Sequence, residues 1–316
     1  MQSFPSLIFV DGGNPVETAR AQQLLGHVDG QTTNPTLIAK NPDVMKYLIG
    51  GKKLTQEEAL AEYKKIVESI AKITTGPISI QVIADQTSSK DDMLAQARRF
   101  RGWIPNGVIK FPCTSEGLAA AEIFCQEWSI NITLNFSQAQ AAAVYAATKN
   151  AKHRVFISPF VGRLDDRGEN GMDVVVNTLK MYHNAPVKTL NNPTLPPLNL
   201  RGGEEGLRGG QGELSGSNKC HVEVLTASVR RLSHLLFALY LKSPAITAPI
   251  KILEEWSAAK FVQPMENFKY ESLNLKQIPY QELDLNQDWR SFDIYHDLTD
   301  SGLTKFMEDW KSLIKR

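Results

Sequence analysis

The sequence has almost no excess of either charge, and this limits the class of partner. Lysine and arginine together number 35 against 34 aspartates and glutamates, which leaves a net charge of +1 over 316 residues. Proteins that bind nucleic acid or acidic membranes usually carry an excess of positive charge. We therefore expect no nucleic acid and no membrane as a partner, and a small-molecule or protein partner instead.

Cysteine is scarce and long apolar runs are missing. The three cysteines, Cys113, Cys125 and Cys220, are spaced like neither a zinc site nor a disulfide framework, which is typical of a reducing compartment. No apolar run is long enough to span a bilayer, and no basic segment with an apolar stretch precedes the run that begins at Leu7. We expect a cytoplasmic protein.

Short apolar, β-branched runs alternate along the chain with segments of helical periodicity. The eight runs are Leu7 to Gly12, Gly30 to Pro35, Ile78 to Ala84, Gly107 to Pro112, Ile130 to Phe136, Val155 to Val161, His221 to Ser228 and Ala245 to Ile252. Strands that alternate with helices form a parallel sheet, and eight such units predict closure into a (β/α)8 TIM barrel. An open doubly wound sheet is the alternative, but no glycine-rich fingerprint follows the first run.

Several predicted helices have a recognisable first turn. The segments Asn14 to Glu17 and Thr55 to Glu58 are interpreted as capping boxes, and Thr114 and Ser137 stand where N-caps are expected. After Thr55, apolar residues recur at the spacing of a helix face packed on a sheet. These residues are Ala59, Leu60, Tyr63, Ile66, Val67 and Ile70.

Two regions interrupt the alternation. The stretch from Asn191 to Lys219 is rich in proline and then glycine, and it lacks the Gly-Lys-Ser/Thr ending of a phosphate loop, so it predicts an insertion rather than a nucleotide site. From about Glu255 the tail is rich in aromatic residues, which indicates packing on the barrel or on a second subunit. We expect a barrel over residues 1–254 with an insertion at 190–220, an extension over 255–316, and a homo-oligomer as one possible assembly.

Lys110 lies within the apolar run that ends at Pro112. In a strand, Val108 and Lys110 share one face while Ile109 and Phe111 take the other, so the amine is flanked by hydrocarbon. Burial favours the neutral amine, which can attack a carbonyl to form a Schiff base. The alternative is a lysine at a strand end whose amine reaches water.

The alternation of side chains makes the inward face of the predicted barrel polar near the carboxyl ends of the strands, where active sites form. Inward positions on seven strands include Asp11, Thr32, Asn34, Ser79, Gln81, Lys110, Asn131, Thr133, Asn135, Ser158, Phe160, Thr226 and Ser228. On the fifth strand the opposite face, from Ile130 to Phe136, is wholly apolar. Agreement across the strands predicts one polar cavity around Lys110.

Two arginines follow the sixth and seventh strands and suit a phosphate. Arg163 and Arg230 come just beyond Ser158 and Ser228, and guanidinium groups bind phosphate oxygens in pairs. Surface salt bridges are the alternative for both. Arg231, on the other side of the chain, is interpreted as structural.

These motifs resemble, in order, the signatures of transaldolases. The segments are Phe9-Val10-Asp11, Thr32 to Ile38, Val108-Ile109-Lys110, Asn131 to Leu134, Ser158 to Arg163 and Ala227 to Arg230. The match covers most of residues 7–254. The resemblance implies a sugar-phosphate enzyme of the pentose phosphate pathway that needs no metal and no cofactor.

The resemblance also implies roles for individual residues. The lysine matching Lys110 forms a Schiff base with a ketose phosphate, and the aspartate matching Asp11 takes the proton of the C4 hydroxyl, so that an aldehyde phosphate leaves. The dihydroxyacetone unit then passes to an aldose phosphate. Residues implied in substrate binding are Thr33, Asn34, Asn131, Ser158, Phe160, Arg163, Ser228 and Arg230, with the serines and arginines on the phosphate.

Two positions, Gln81 and Gly12, depart from the transaldolase pattern, whereas Phe160 matches it. Transaldolases commonly carry glutamate where this chain has Gln81, and that residue with a threonine such as Thr133 holds a catalytic water. Fructose 6-phosphate aldolases carry glutamine there, but with tyrosine where this chain has Phe160. Gly12 replaces the usual threonine. We expect a transaldolase, with a fructose 6-phosphate-type aldolase and a non-catalytic sugar-phosphate-binding barrel as the alternatives.

Overall fold

The computed structural model describes residues 4–185, 220–272 and 274–315. The predicted insertion between Asn191 and Lys219 lies outside these residues. Within the described part of the chain, none of the helices combines the length and apolar character needed to cross a membrane.

Eight parallel strands form a closed barrel in which each strand pairs with the next and β8 closes on β1. The strands are β1 (Leu7–Asp11), β2 (Gly30–Thr32), β3 (Ile78–Gln81), β4 (Gly107–Pro112), β5 (Ile130–Asn135), β6 (Val155–Pro159), β7 (Val222–Thr226) and β8 (Ala245–Ala248). Parallel strands need helical crossovers, and these cover the outside of the barrel. The predicted (β/α)8 fold is confirmed.

The helices lie between and after the strands. They are α1 (Pro15–Leu25), α2 (Pro35–Ala39), α3 (Pro42–Ile49), α4 (Gln56–Ala71), α5 (Lys90–Phe100), α6 (Ser115–Phe124), α7 (Gln138–Ala147), α8 (Val161–Asp166), α9 (Gly171–His183), α10 (Leu232–Tyr240), α11 (Ile250–Ala258) and α12 (Asp297–Leu313). The six apolar residues predicted for one face of α4 are all buried, as expected of a helix packed on a sheet.

The predicted eighth strand was too long. It ends at Ala248, and Pro249 caps α11, so the apolar residues from Ile250 to Ile252 are helical. Proline has no N–H to donate to a strand partner, and its fixed φ suits the start of a helix. The sixth run also ends early, at Pro159, since Val161 already begins α8.

The predicted helix starts are confirmed in all but one detail. Thr55 forms a full capping box with Glu58, and Thr114 and Ser137 each accept a backbone N–H as N-caps. Asn14 also caps its helix, by accepting the N–H of Val16. The capping box predicted there is wrong, because the Glu17 carboxylate instead approaches Gly12, where an added Cβ would lie 3.0 Å from Glu17 Oε2.

The aromatic tail contributes α12, which packs on the barrel of the same chain. The indole of Trp310 is buried and its Nε1 donates to Oε1 of Gln56, at 3.1 Å, at the start of α4. The Thr299 hydroxyl donates to the carbonyl of Leu134 on β5, at 2.9 Å. As a result, α12 lies at the carboxyl ends of the strands, where a barrel carries its active site.

Candidate active site

A cavity of about 320 Å³ opens at the carboxyl ends of the strands. It brings together eight of the twelve residues predicted for catalysis or substrate binding, namely Asp11, Asn34, Lys110, Ser158, Phe160, Arg163, Ser228 and Arg230. Four others, Thr33, Gln81, Asn131 and Thr133, are buried and are not among the residues that line it. The predicted polar set is therefore divided between the cavity wall and a layer behind it.

Lys110 is the lysine of β4 and only 2% of it is exposed. Its Nζ donates to the carbonyl of Thr33 at 3.3 Å. Burial lowers the pKa of the amine to about 8; the nearby charge of Asp11 opposes this shift and that of Arg163 adds to it. A substantial fraction of the amine is therefore neutral near physiological pH, as a nucleophile must be.

Asp11 ends β1, and its carboxylate accepts a hydrogen bond from one hydroxyl, which is bonded in turn to a second. The Thr32 hydroxyl donates to Oδ1 of Asp11 at 2.7 Å, and the Thr247 hydroxyl lies 2.7 Å from that of Thr32. Because the Thr32 proton goes to Asp11, Thr247 is the donor in the second bond. Burial raises the pKa of Asp11, although the charge of Lys110 and the Thr32 bond oppose it. The carboxyl is thus tuned toward the range of a general base.

A chain of side-chain hydrogen bonds fixes the layer behind the cavity. The Ser158 hydroxyl donates to Oδ1 of Asn131 at 2.8 Å, and Nδ2 of Asn131 donates to the Ser79 hydroxyl at 3.1 Å. Asn131 is fully buried and is the register partner of Lys110. Its amide therefore orients Ser158, which does line the cavity.

Gln81 and Thr133 are buried on the strands that flank Lys110. Gln81 is the register partner of the lysine on β3, and its backbone N–H donates to the Tyr63 hydroxyl at 2.8 Å. Gln81 Oε1 and Thr133 Oγ1 have no hydrogen-bond partner within the part of the chain that the structure describes. Buried polar atoms of this kind are usually satisfied by ordered water.

Thr33 and Asn34 follow β2 and use their side chains differently. The Thr33 hydroxyl donates to the Ser79 carbonyl at 2.7 Å and also lies 2.7 Å from the Tyr63 hydroxyl, so it anchors the chain behind the cavity. Asn34 caps α2 by accepting the N–H of Leu37 at 2.9 Å. The Thr33 backbone carbonyl thus accepts the hydrogen bond of Lys110, whereas Asn34 lines the cavity.

The two predicted arginines, Arg163 and Arg230, lie near each other at the rim of the cavity. The Arg163 guanidinium lies over the rings of Phe160 and Phe306, 5.6 and 5.4 Å from their centroids. Burial lowers the pKa of Arg163, and the charge of Arg230 adds to the effect. Arg230 pairs with Asp166 at 2.7 Å. Two like charges held together in a cavity wall favour an anionic ligand.

Gly162 allows this approach of the two rim segments. Its N–H donates to the Ser228 carbonyl at 2.9 Å, and an added Cβ would lie 2.3 Å from Cγ of Arg230. Ser228 itself has a φ of 57°, in the left-handed region that residues other than glycine seldom adopt. Such a conformation persists only where the surroundings hold it, as they often do at functional sites.

Sequence reasoning missed part of the cavity wall. Lys305 and Phe306 of α12, together with Thr36 and Lys40 at α2, line the cavity. The aromatic content of the tail predicted that it packs on another surface, but it did not predict that α12 would lie over the cavity. Thr247 on β8, which also lines the cavity, was not predicted, although the alternation of strand side chains places it on the same face as Ala245.

Comparison with known proteins identifies a family over nearly the whole chain. A family model described as transaldolase/fructose-6-phosphate aldolase matches residues 8–316. A probable transaldolase of Thermoplasma volcanium is 30% identical over 307 residues, which cover 97% of this chain and 96% of the relative. One of Sorangium cellulosum is 32% identical, with 78% of this chain and 88% of the relative covered. One of Dehalococcoides mccartyi is 29% identical, with 98% and 99% covered.

Proposed function

Because this chain belongs to the transaldolase and fructose-6-phosphate aldolase family and is an enzyme of that class, we propose that it transfers a dihydroxyacetone unit from a ketose phosphate to an aldose phosphate through a Schiff base on Lys110. One observation carries the proposal: a buried amine with a pKa of about 8 faces the same cavity as the Asp11 carboxylate and two rim arginines. This set supplies a nucleophile, a base and an anion site.

The first step uses the neutral form of Lys110. The amine adds to the C2 carbonyl of the ketose, water leaves, and a protonated Schiff base remains. Asp11 then accepts the proton of the C4 hydroxyl, the C3–C4 bond breaks, and its electron pair moves into the iminium to give an enamine. The aldehyde phosphate leaves. The enamine attacks the aldehyde of the acceptor, Asp11 returns its proton to the oxygen that becomes the new C4 hydroxyl, and hydrolysis of the new Schiff base restores the lysine.

Gln81 and Thr133 are proposed to hold the water that carries protons during formation and hydrolysis of the Schiff base. Gln81 Oε1 and Thr133 Oγ1 are buried on the strands on either side of Lys110 and have no hydrogen-bond partner among the described residues, which is typical of atoms that bind an ordered water. Glutamine can orient a water but cannot exchange a proton with it. The amide therefore positions the water, and Asp11 remains the base.

The phosphate is proposed to bind at the rim. Arg163 and Arg230 supply positive charge, and Ser158 and Ser228 supply hydroxyls on the same cavity wall. Asn34 and the buried Asn131 are proposed to hold hydroxyls of the triose, Asn131 acting with Ser158, to which it is bonded. Thr33 contributes its backbone carbonyl, which orients Lys110, and Phe160 supports the Arg163 guanidinium.

The setting of the enzyme is also proposed. The near-neutral charge and the free cysteines Cys113, Cys125 and Cys220 favour a cytoplasmic enzyme of phosphorylated sugars that binds neither nucleic acid nor membrane. A homo-oligomer is compatible with these features.

A fructose 6-phosphate-type aldolase is the second candidate, and Gln81 favours it. The experiment that separates the two measures release of glyceraldehyde 3-phosphate from fructose 6-phosphate with and without erythrose 4-phosphate. A transaldolase releases product in quantity only when the acceptor is present. Release at the same rate without acceptor, with free dihydroxyacetone as the second product, would show an aldolase.

The rate of Schiff-base formation should follow the titration of Lys110. Because burial lowers the pKa of the amine to about 8, the rate with dihydroxyacetone should rise about tenfold per pH unit below that value and level off above it. Single-turnover mixing, followed by borohydride reduction and mass spectrometry, measures the rate. A plateau reached only near the ordinary lysine pKa would contradict the assigned environment.

Replacing Gln81 with glutamate should raise the transfer rate about tenfold, because a carboxylate in contact with the same water can exchange protons with it. Steady-state transfer from fructose 6-phosphate to erythrose 4-phosphate provides the measurement. The matched control is Gln22→Glu, which makes the same change at an exposed position of α1 that does not line the cavity. A fall in rate for Gln81→Glu alone would show that the amide is adapted to its position.

A further inference from the structure

A buried histidine lies directly behind the rim arginines and does not line the cavity. His234, on α10, is fully buried, and its Nδ1 accepts the backbone N–H of Arg230 at 3.4 Å. Its Nε2 lies 2.8 Å from Oδ2 of Asp165. Nε2 also lies 3.1 Å from Nε and 2.6 Å from Nη2 of Arg231, so the imidazole, the Asp165 carboxylate and the Arg231 guanidinium form one cluster. The histidine thus connects the Arg230 backbone to a carboxylate.

Asp165 belongs to α8, the same short helix as Arg163. Its Oδ1 accepts the N–H of Gly171 at 3.0 Å, and its Oδ2 accepts from the guanidinium of Arg231. Burial raises the pKa of Asp165, but the His234 hydrogen bond leads the effects that oppose it, and the net pKa lies below the usual value. The carboxyl is therefore ionised and holds one rim segment against the other.

We propose that Asp165 and His234 are positioning residues that set the separation of Arg163 and Arg230 for a sugar phosphate. The proposal rests on the proposed function, because it assigns the affinity of that site for phosphate to groups behind it. Asp165 lies two residues from Arg163 on one segment, and His234 holds the Arg230 backbone on the other. The pair joins the segments without contacting substrate.

The rim needs such support for two reasons. The Arg163 and Arg230 guanidiniums carry like charges in one cavity wall, and the Asp166 carboxylate that pairs with Arg230 offsets only part of their repulsion. Ser228, two residues before Arg230, holds a φ of 57°, which surrounding contacts must maintain. Gly162 allows the segments that carry Arg163 and Arg230 to approach closely. The Asp165–His234 pair then fixes the distance between them.

Loss of either positioning residue should weaken binding of phosphate and leave Schiff-base formation at Lys110 unchanged. Asp165→Asn keeps the size of the side chain, but its NH2 group must face the donor either of Gly171 or of Arg231. His234→Asn retains an acceptor for the Arg230 N–H and loses the link to Asp165. We expect both variants to weaken binding of inorganic phosphate about tenfold, with a similar rise in KM for erythrose 4-phosphate. Adduct formation with dihydroxyacetone, which has no phosphate, should stay within about twofold of the unmodified protein.

The control is His221→Asn, which replaces another buried histidine, placed just before the amino end of β7. It should change neither readout. Calorimetric titration with inorganic phosphate, KM for erythrose 4-phosphate and the rate of borohydride trapping with dihydroxyacetone are measured for all three variants. Arg231→Gln, which removes the third member of the network, should weaken phosphate binding in the same sense and serves if Asp165→Asn does not fold.

Equal losses of phosphate binding and dihydroxyacetone trapping would show a merely structural role and overturn the proposal, as would unchanged phosphate binding. Failure of the proposed function appears differently. If the unmodified protein binds phosphate but never forms an adduct, the assignment of Lys110 fails, while the phosphate titrations still decide the role of Asp165 and His234.

Discussion

Replacing Lys110 with methionine is expected to abolish both transfer and adduct formation, a loss of at least about 10⁴-fold because the nucleophile itself is removed. Methionine has a similar length and fits an apolar strand. In the folded protein the pKa of the lysine is lowered to about 8, so the charged amine opposes folding at neutral pH, and this cost disappears as the pH rises through the folded pKa toward the unfolded one. The variant should therefore melt no lower than the unmodified protein at pH 7.

Transfer assays, borohydride trapping with mass spectrometry and thermal unfolding check this prediction together. Lys64→Met, on α4, is the matched control, because Lys64 pairs only loosely with Glu68 at the surface, with N–O contacts at 3.6 Å. It should react and unfold like the unmodified protein. Adduct formation that persists in Lys110→Met would assign the Schiff base to another amine.

Replacing Asp11 with asparagine is expected to lower the transfer rate about 10²- to 10⁴-fold while leaving the adduct with dihydroxyacetone intact. Asparagine has the same shape and can still accept from Thr32, but it cannot take the proton of the C4 hydroxyl. The Asp11 charge also opposes the lowering of the pKa of Lys110. Without it that pKa should fall further, and the pH profile of trapping should shift to lower pH.

Steady-state transfer and the pH profile of single-turnover trapping measure the two effects of Asp11→Asn. Asp43→Asn, at an exposed ion pair with Lys46, provides the control for a lost carboxylate. Loss of trapping along with transfer would show that Asp11 supports the lysine rather than acting as the base. Undiminished transfer would assign proton removal to a different group.

The barrel and much of its polar lining could be predicted because strand side chains alternate faces and each strand was bounded by turn residues. β4 has the bounds predicted for it, and the face of α4 predicted from its spacing is buried residue for residue. On β4 the rule placed Lys110 inward. That prediction needs only local sequence, because the direction of a strand side chain is set by its own backbone.

The alternation of side-chain direction no longer predicts the facing of a residue where a strand ends. β2 stops at Thr32, so the following residues no longer alternate regularly; Thr33 turns its hydroxyl to Ser79 and Asn34 becomes a helix cap. The contribution of Lys305 and Phe306 could not be predicted either. Their position depends on how α12 packs back over the barrel, which is a long-range contact that no local pattern encodes.

The most direct test of the central claim is reduction of the unmodified protein with borohydride in the presence of fructose 6-phosphate, followed by peptide mapping. The account predicts one covalent adduct, carried by the peptide that contains Lys110. An unmodified Lys110 in active protein, or an adduct on any other lysine, would contradict it.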